Sequence, residues 1–360
     1  MGIKLFVFAF LIVFCAFGES EILINEIMPS NIDVIMDDIN EFPDSWIELY
    51  NQSGSSVNIN GMYISDDNTN PKKWQIDSSF VIDANGHIVF FLDEKDTLKT
   101  HANFKLDIKG GTVFLTANDG VTCMDSLTYN KMVPNISYGR VTDGGAVQGW
   151  FRKATPNSAN VKDYHVESET VAPKPEFSVC GGVYSGAVSV ALSVPGGSGK
   201  AKIYYTTDGS EPDELSQSYS EPLSFSSPTT LRAKVIDPAC LPRPSTTQSY
   251  IITNRNFDLP VLSVTIDTSY LFDPHIGIFV WGENYTSQYA EERDYYKYRM
   301  NSNLFYDWRR PANIEYFDGK DHVQSVNQIG EIRISGGGSR FQHEQKSFII
   351  YANKRFETKR

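Results

Sequence analysis

Residues 44–67 read DSWIELYNQSGSSVNINGMYISDD, and the alternation inside this stretch decides the fold. In Trp46–Tyr50, Ile47 and Leu49 alternate with Trp46, Glu48 and Tyr50. A period of two marks a strand rather than a helix. Val57–Ile59 and Met62–Ile64 repeat the signal after turn residues, and Trp74–Ile76 follows. Upstream, Ile22–Ile27 (ILINEI) is a short apolar strand that Pro29 ends. Downstream, Asp83-Ala84-Asn85-Gly86 is a tight-turn signal leading into His87–Leu92. Thr112–Leu115 and Ser126–Tyr129 flank Asn118-Asp119-Gly120. Strands spaced about every 8–12 residues predict an all-β sandwich.

Composition agrees. The 360 residues are 41% hydrophobic and 21% charged, too apolar for a disordered chain. The 19 Tyr and 22 Phe, with 26 Gly and 17 Pro, favour sheets and turns over helical bundles. The net charge of −12 argues against a nucleic-acid partner, because neutralising phosphates needs a basic surface.

Residues 1–18 read as a signal peptide. Lys4 supplies a positive start, Leu5–Phe14 is apolar, and Ala16 and Gly18 make a small-x-small cleavage site. The run is shorter than the roughly 20 residues a membrane span needs. Cys15 offers a lipid-anchor alternative, which the bulky Phe14 before it disfavours. The expectation is a secreted or cell-surface protein with no membrane span after signal cleavage. Of the remaining cysteines, Cys180 and Cys240 bracket one segment and form the expected disulfide, with Cys123 odd. Three buried, small apolar thiols are the alternative. No Cys/His set has zinc spacing.

A second segment shows the same grammar. Val190, Leu192 and Val194 alternate with small residues, and Leu231, Ala233 and Val235 alternate with Arg232 and Lys234. Ile203–Thr207 runs into Asp208-Gly209, a hairpin-turn dipeptide. Between the first two segments, VESETVAPKP (166–175) is polar, Pro-containing and aperiodic, as linkers are. A third segment offers strands in LPVLSVTID (259–267), GIFVWGENY (277–285), after NSNLFYDWRRP, and in GEIRISGGGSR (330–340) and KSFIIY (346–351). Tyr285–Tyr298 is the best helical stretch, where favourable and unfavourable charge pairs cancel.

These residues carry three resemblances. ILINEIMPSN, DSWIELYNQSGSSVNINGMYISDD, HANFKLDIKGGTVFLTANDG, NISYGRVTDGG with its later Gly-Trp, and TPNSAN resemble, in order, the lamin-tail domain. That resemblance implies an immunoglobulin-like interaction module without an established active site. IYYTTDGSEPD and SYSEPLSFSSPTTLRAKVID resemble the small β-sandwich at the C-terminus of chitobiases and hexosaminidases, which implies an accessory module with a carbohydrate association. LPVLSVTID, Trp308–Pro311, GEIRISGGGSR and KSF resemble the N-terminal part of the CotH (spore coat protein H) kinase family. That resemblance implies an atypical kinase moving phosphate from ATP, with Mg or Mn, to protein Ser. Ser335-Gly336 stands where the family has Arg-Gly, and Gln345-Lys346 where it has a Lys pair. The family's acidic catalytic and metal-binding positions lie downstream of KSF, so the domain is expected to be truncated here and inactive alone.

The candidate site residues follow. Gly336, Gly337 and Gly338 form a Gly-rich loop of the kind whose backbone N–H groups approach phosphate. Lys346 would contact the phosphate and Arg340 support it, beside Arg333. A simple turn is the alternative for three glycines between strands. The acidic groups Asp33, Asp37, Asp38, Glu41, Asp66 and Asp67 lack the calcium-loop pattern and read as solvated loop carboxylates. Glu26 and Glu48 read as structural, and Trp46, Trp74, Tyr204 and Tyr205 as core rather than a sugar platform.

The predicted architecture is mostly β: two consecutive immunoglobulin-like β-sandwiches and an incomplete α+β kinase-like domain. The boundaries are signal 1–18, lamin-tail-like sandwich 19–161, linker 162–175, chitobiase-type sandwich 176–253 and kinase-like part 258–360. The expected function is that of exported interaction modules attached to a CotH-like kinase domain. ATP and Mg or Mn are cofactors only for a complete domain. The partner is an extracellular or surface protein, with a glycan as a further option. The rival readings are a non-enzymatic adhesion or carbohydrate-binding protein, and a truncated gene product.

Overall fold

A computed structural model describes residues 20–77, 80–96, 98–196, 199–255, 257–283, 302–319, 323–352 and 356. The chain divides into two compact units: Met1–Ser30, Pro43–Met132 and Ile136–Glu167; and Asn31–Phe42, Val133–Asn135 and Ser168–Arg360. The expected signal peptide and the helical stretch Tyr285–Tyr298 lie outside the described residues. Among the described residues, no helix is long and apolar enough to cross a membrane.

In the first unit the main strands are β1 (Ile22–Met28), β2 (Ser45–Asn51), β3 (His87–Leu92), β4 (Gly111–Thr116), β5 (Cys123–Tyr129), β6 (Ser137–Arg140) and β7 (Gln148–Phe151). One sheet runs from His165–Val166 through β7, β6, β1, β2 and β3 to His101–Ala102. The other holds β5, β4, Tyr63–Ser65 and Trp74–Gln75. Ile22, Ile24, Ile27, Ile47 and Leu49 are fully buried, as are Val113 and Leu115 of the second sheet.

A bulge in β1 makes this core. Ile24 pairs with Leu49 and Glu26 with Glu48, which leaves Asn25 as the extra residue. Strict alternation would put Ile22, Ile24 and Glu26 on one face. The inserted residue turns Glu26 away and brings Ile27 round beside Ile24. Gly139 of β6 lies opposite Glu26. A Cβ there would meet Asn25 O at 2.2 Å and Glu26 Cα at 2.8 Å, so the bulge and the glycine require each other.

In the second unit the main strands are β8 (Lys202–Thr206), β9 (Thr229–Ile236), β10 (Thr246–Ile252), β11 (Val261–Thr265), β12 (Arg310–Phe317), β13 (Gln324–Ser335) and β14 (Ser347–Tyr351). β10, β9 and β8 form the centre of a five-stranded sheet, with Gly182–Tyr184 parallel to β10 at one edge and Gln217–Ser218 at the other. Val188, Val190 and Leu192 cluster with Ile203, Leu231, Ala233, Val235 and Tyr250 in its core. The strands β11 to β14 form a separate antiparallel meander, with helices α1 (Thr268–Phe272) and α2 (Ser339–Gln342) beside it. Its core gathers Ile314, Ile332 and Ile334 with Ile278, Leu304 and Trp308. This meander by itself does not define the α+β kinase-like domain that the resemblance implies.

Several expectations are corrected. The described part of GIFVWGENY, residues 277–283, is not a strand. Ile278 N donates to Tyr270 O and Phe279 N to Leu271 O, which folds the segment onto α1, and Gly282 takes a left-handed φ of 83°. Asp208-Gly209 does not close a tight hairpin, because β8 pairs with Gln217–Ser218 across a longer loop. Within residues 162–175, His165–Val166 joins the first sheet and Ala172 N donates to Leu241 O. Cys180 and Cys240 are free thiols, so the expected disulfide is not formed, while Cys123 is disulfide-bonded.

Candidate functional site

The structure brings the Gly-rich loop and Arg340 together, but as a structural tie. Gly336 has a φ of 99°, which favours glycine, and Gly338 opens α2. Arg340 Nε donates to Gly336 O at 2.7 Å, and its Nη1 donates to Phe305 O at 3.1 Å and Leu304 O at 3.3 Å. Asp307 then pairs with both Arg340 (3.0 Å) and Arg333 (2.9 Å). The cations read as phosphate ligands thus hold the loop to the Asn303–Phe305 turn. Gly337 O accepts from Arg340 N within the loop, and Lys346 Nζ donates to His343 O at 2.6 Å. Among the described residues, no group of three or more His, Cys, Asp or Glu is placed to hold a metal ion.

The acidic loop residues also serve the backbone. Asp37 is buried rather than solvated, and its Oδ1 accepts from Ile39 N and Glu41 N. Asp67 accepts from Thr69, and Asp66 pairs with Lys73. Trp46 and Trp74 are buried in the first unit, while Tyr204 and Tyr205 are half-buried on β8, so these aromatics do not make a sugar platform.

A buried carboxylate pair lies in the first unit. Glu26 and Glu48 face each other across β1 and β2 with no exposed surface. Glu26 accepts from Thr155 N (3.1 Å), Thr155 Oγ1 (3.0 Å) and Ser137 Oγ. Glu48 accepts from Asn25 Nδ2 (2.9 Å) and Asn157 N (2.7 Å). Burial pushes Glu26 up to about 7 and Glu48 up to about 9, against their hydrogen bonds. The pair anchors the closing segment Thr155–Asn160 and has no opening to a reactant, so its chemistry is structural.

The feature that sequence reading missed is a groove of about 830 Å3 in the second unit. Its walls are the start of β10, from Ser245 to Gln248, and the first half of β13, from Gln324 to Ile329. Side-chain bonds hold the walls together. Glu315 of β12, fully buried, accepts from Ser249 N (3.0 Å), Ser249 Oγ and Gln324 Nε2 (2.8 Å). Gln324 also donates to Gln248 Oε1 (3.0 Å), and Asn327 Nδ2 donates to Thr247 O (2.7 Å). A Cβ at Gly181 would meet Gln248 Oε1, Glu315 Oε1 and Ser249 O, each at 2.9 Å, so only glycine fits behind this joint.

The lining mixes amide and hydroxyl side chains with apolar residues such as Val133, Val326, Ile329 and Phe356. Thr247 lines the groove, is buried, and its Oγ1 has no hydrogen-bond partner among the described residues. The side chains of Thr246 and Gln328 also line it and make no hydrogen bond among the described residues. Such groups donate and accept at once, as sugar hydroxyls do. The sequence carried a signal: Ser245–Ser249 (STTQS) and Gln324–Gln328 (QSVNQ) put polar residues on both faces of strands. A strand with one core face alternates instead.

A family model described as Lamin Tail Domain matches residues 16–131. One described as Chitobiase/beta-hexosaminidase C-terminal domain matches residues 179–248. The chain therefore carries a lamin-tail domain and a chitobiase-type C-terminal domain, both of the immunoglobulin-like β-sandwich kind. Neither model reaches the meander β11–β14. No curated protein matches the chain. β6, β7 and Thr155–Asn160 lie past the matched lamin-tail range, yet supply strands and ligands to its central sheet.

Proposed function

We propose that this is an exported, modular binding protein: the lamin-tail domain is an interaction module, and the groove of the second unit binds an oligosaccharide. The observation that carries the reading is the groove itself. Its walls present the Gln328 amide and the Thr246 and Thr247 hydroxyls, which make no hydrogen bond among the described residues, Thr247 Oγ1 being buried. A sugar satisfies such groups without bringing an unpaired charge. The chitobiase-type domain supports it, since that domain type accompanies glycan-processing enzymes. A screen of immobilised glycans with the whole chain tests it. Binding that falls at least about tenfold in Gln328→Ala, a loss of about 1.4 kcal/mol, is the expected result. No glycan binding, or binding indifferent to Gln328, overturns it.

Export rests on the Lys4, apolar run and Ala16-x-Gly18 pattern. Mass spectrometry of the secreted protein should find Glu19 at its N-terminus. An intact Met1 form confined to the cytoplasm would contradict it. For residues 258–360, phosphoryl transfer with ATP and Mg or Mn is the reading from resemblance. The engagement of Arg340 and Lys346 with backbone carbonyls favours a structural loop instead.

A further inference from the structure

We infer that the groove prefers an acidic oligosaccharide, its sugar carboxylate seated by Arg243 and Lys174. The inference rests on the glycan reading above and adds the ligand's charge. Lys174 and Arg243 both line the groove, and among the described residues no Asp or Glu does. In a chain of net charge −12, a wall with two cations and, among the described residues, no lining carboxylate is a local reversal of sign. It attracts anions that the rest of the surface repels.

The segments that carry the two cations run parallel. Val171 and Leu241 form a parallel bridge, with Ala172 N donating to Leu241 O and Leu241 N to Thr170 O. Two residues further along each strand segment, Arg243 Nε donates to Ala172 O at 2.7 Å. That bond fixes the guanidinium beside the Ala172–Lys174 backbone. Proline flanks both cations, in Pro173-Lys174-Pro175 and Pro242-Arg243-Pro244. Each proline locks its own φ, so the backbone loses little freedom when a ligand binds.

The geometry favours a carboxylate. With Nε engaged, Arg243 offers the two Nη groups, which have no other partner among the described residues. That end of the fork matches a planar carboxylate in two parallel bonds. Lys174 is exposed and adds a mobile point charge. The amide of Gln328 and the hydroxyls of Thr246 and Thr247 then meet the ring hydroxyls along the groove.

Calorimetry on the whole chain tests this with a galacturonic acid hexamer, its neutral methyl ester, a sulfated oligosaccharide of equal length and a Glu hexapeptide. The acid should bind about 10–100-fold more tightly than its ester, the worth of one charge-assisted pair. Lys174→Gln should reduce that preference, and Lys174→Gln with Arg243→Gln should bring it below about threefold. Lys174 makes no hydrogen bond or ion pair among the described residues, so its variant stays readable even if loss of the Arg243 bond to Ala172 unfolds the double variant. Equal binding of acid and ester overturns the charge preference and leaves the glycan reading standing. No sugar binding overturns both. A tighter sulfated sugar overturns the carboxylate assignment, and a peptide that binds as well as the acid overturns the sugar.

Discussion

Glu26 and Glu48 are directly opposed on neighbouring antiparallel strands, both fully buried, with the closing segment hydrogen-bonded to each. Two carboxyl groups in one dry layer cannot both ionise cheaply. Burial holds both above the ordinary range, Glu48 further than Glu26. At neutral pH Glu48 is therefore protonated.

This makes the first unit sensitive to alkali. Above about 4.5 an unfolded Glu48 is ionised, whereas folded Glu48 keeps its proton to about 9. The folded state binds more protons across that window, so stability falls as pH rises through it, by about 1.4 kcal/mol per pH unit per group. Melting temperature should drop between pH 5 and pH 9, with Glu26 contributing only to about 7. Glu48→Gln should flatten the profile above pH 7. Parallel profiles for the two proteins would refute the assignment.

Gly139→Ala should destabilise the first unit by about 2–4 kcal/mol, because the new methyl meets the Asn25 carbonyl at the bulge. Urea titration followed by tryptophan fluorescence reads this, since Trp46 is buried in β2 and Trp150 lies in β7. A loss below about 0.5 kcal/mol, the level of an ordinary surface change, would mean that the bulge yields.

The bulge also shows how far the sequence could be read. ILINEIM announces a strand, and the alternation of Ile47 and Leu49 was legible. The burial of Glu48 was not, because β2 is central and covered on both faces, where alternation no longer separates core from solvent. GIFVWGENY carries strand-like residues, yet backbone bonds to α1 and the left-handed Gly282 fold its described part, residues 277–283, otherwise. The groove was hidden for a further reason: STTQS and QSVNQ are about 75 residues apart and meet through Glu315, Gln324 and Asn327. Tertiary pairing of this kind leaves no local period.

Arg340→Ala should cost about 1–3 kcal/mol of stability in the second unit, as Gly336 O, Phe305 O and Asp307 lose a donor. It should leave any ATP affinity within about twofold of the parent, a change near 0.4 kcal/mol. Equilibrium dialysis with labelled ATP, beside thermal melts, separates the roles. Lost nucleotide binding with an unchanged melt would restore the phosphate reading.

Glu315→Leu should leave Ser249 N without its acceptor and Gln324 with Gln248 alone, and destabilise the joint between β10 and β12 by about 3 kcal/mol. Glu315→Gln keeps one acceptor and should cost less. Chemical denaturation of the whole chain distinguishes them. Equal, negligible effects would show that the joint contributes nothing.

Hydrogen exchange with and without an oligogalacturonate tests the groove most directly. The account predicts slowed exchange at Ser245–Gln248 and Gln324–Ile329, with the first unit unchanged, and loss of that protection in the Lys174→Gln, Arg243→Gln double variant. Protection confined to other strands, or saturating binding that leaves both groove walls unprotected, would contradict it.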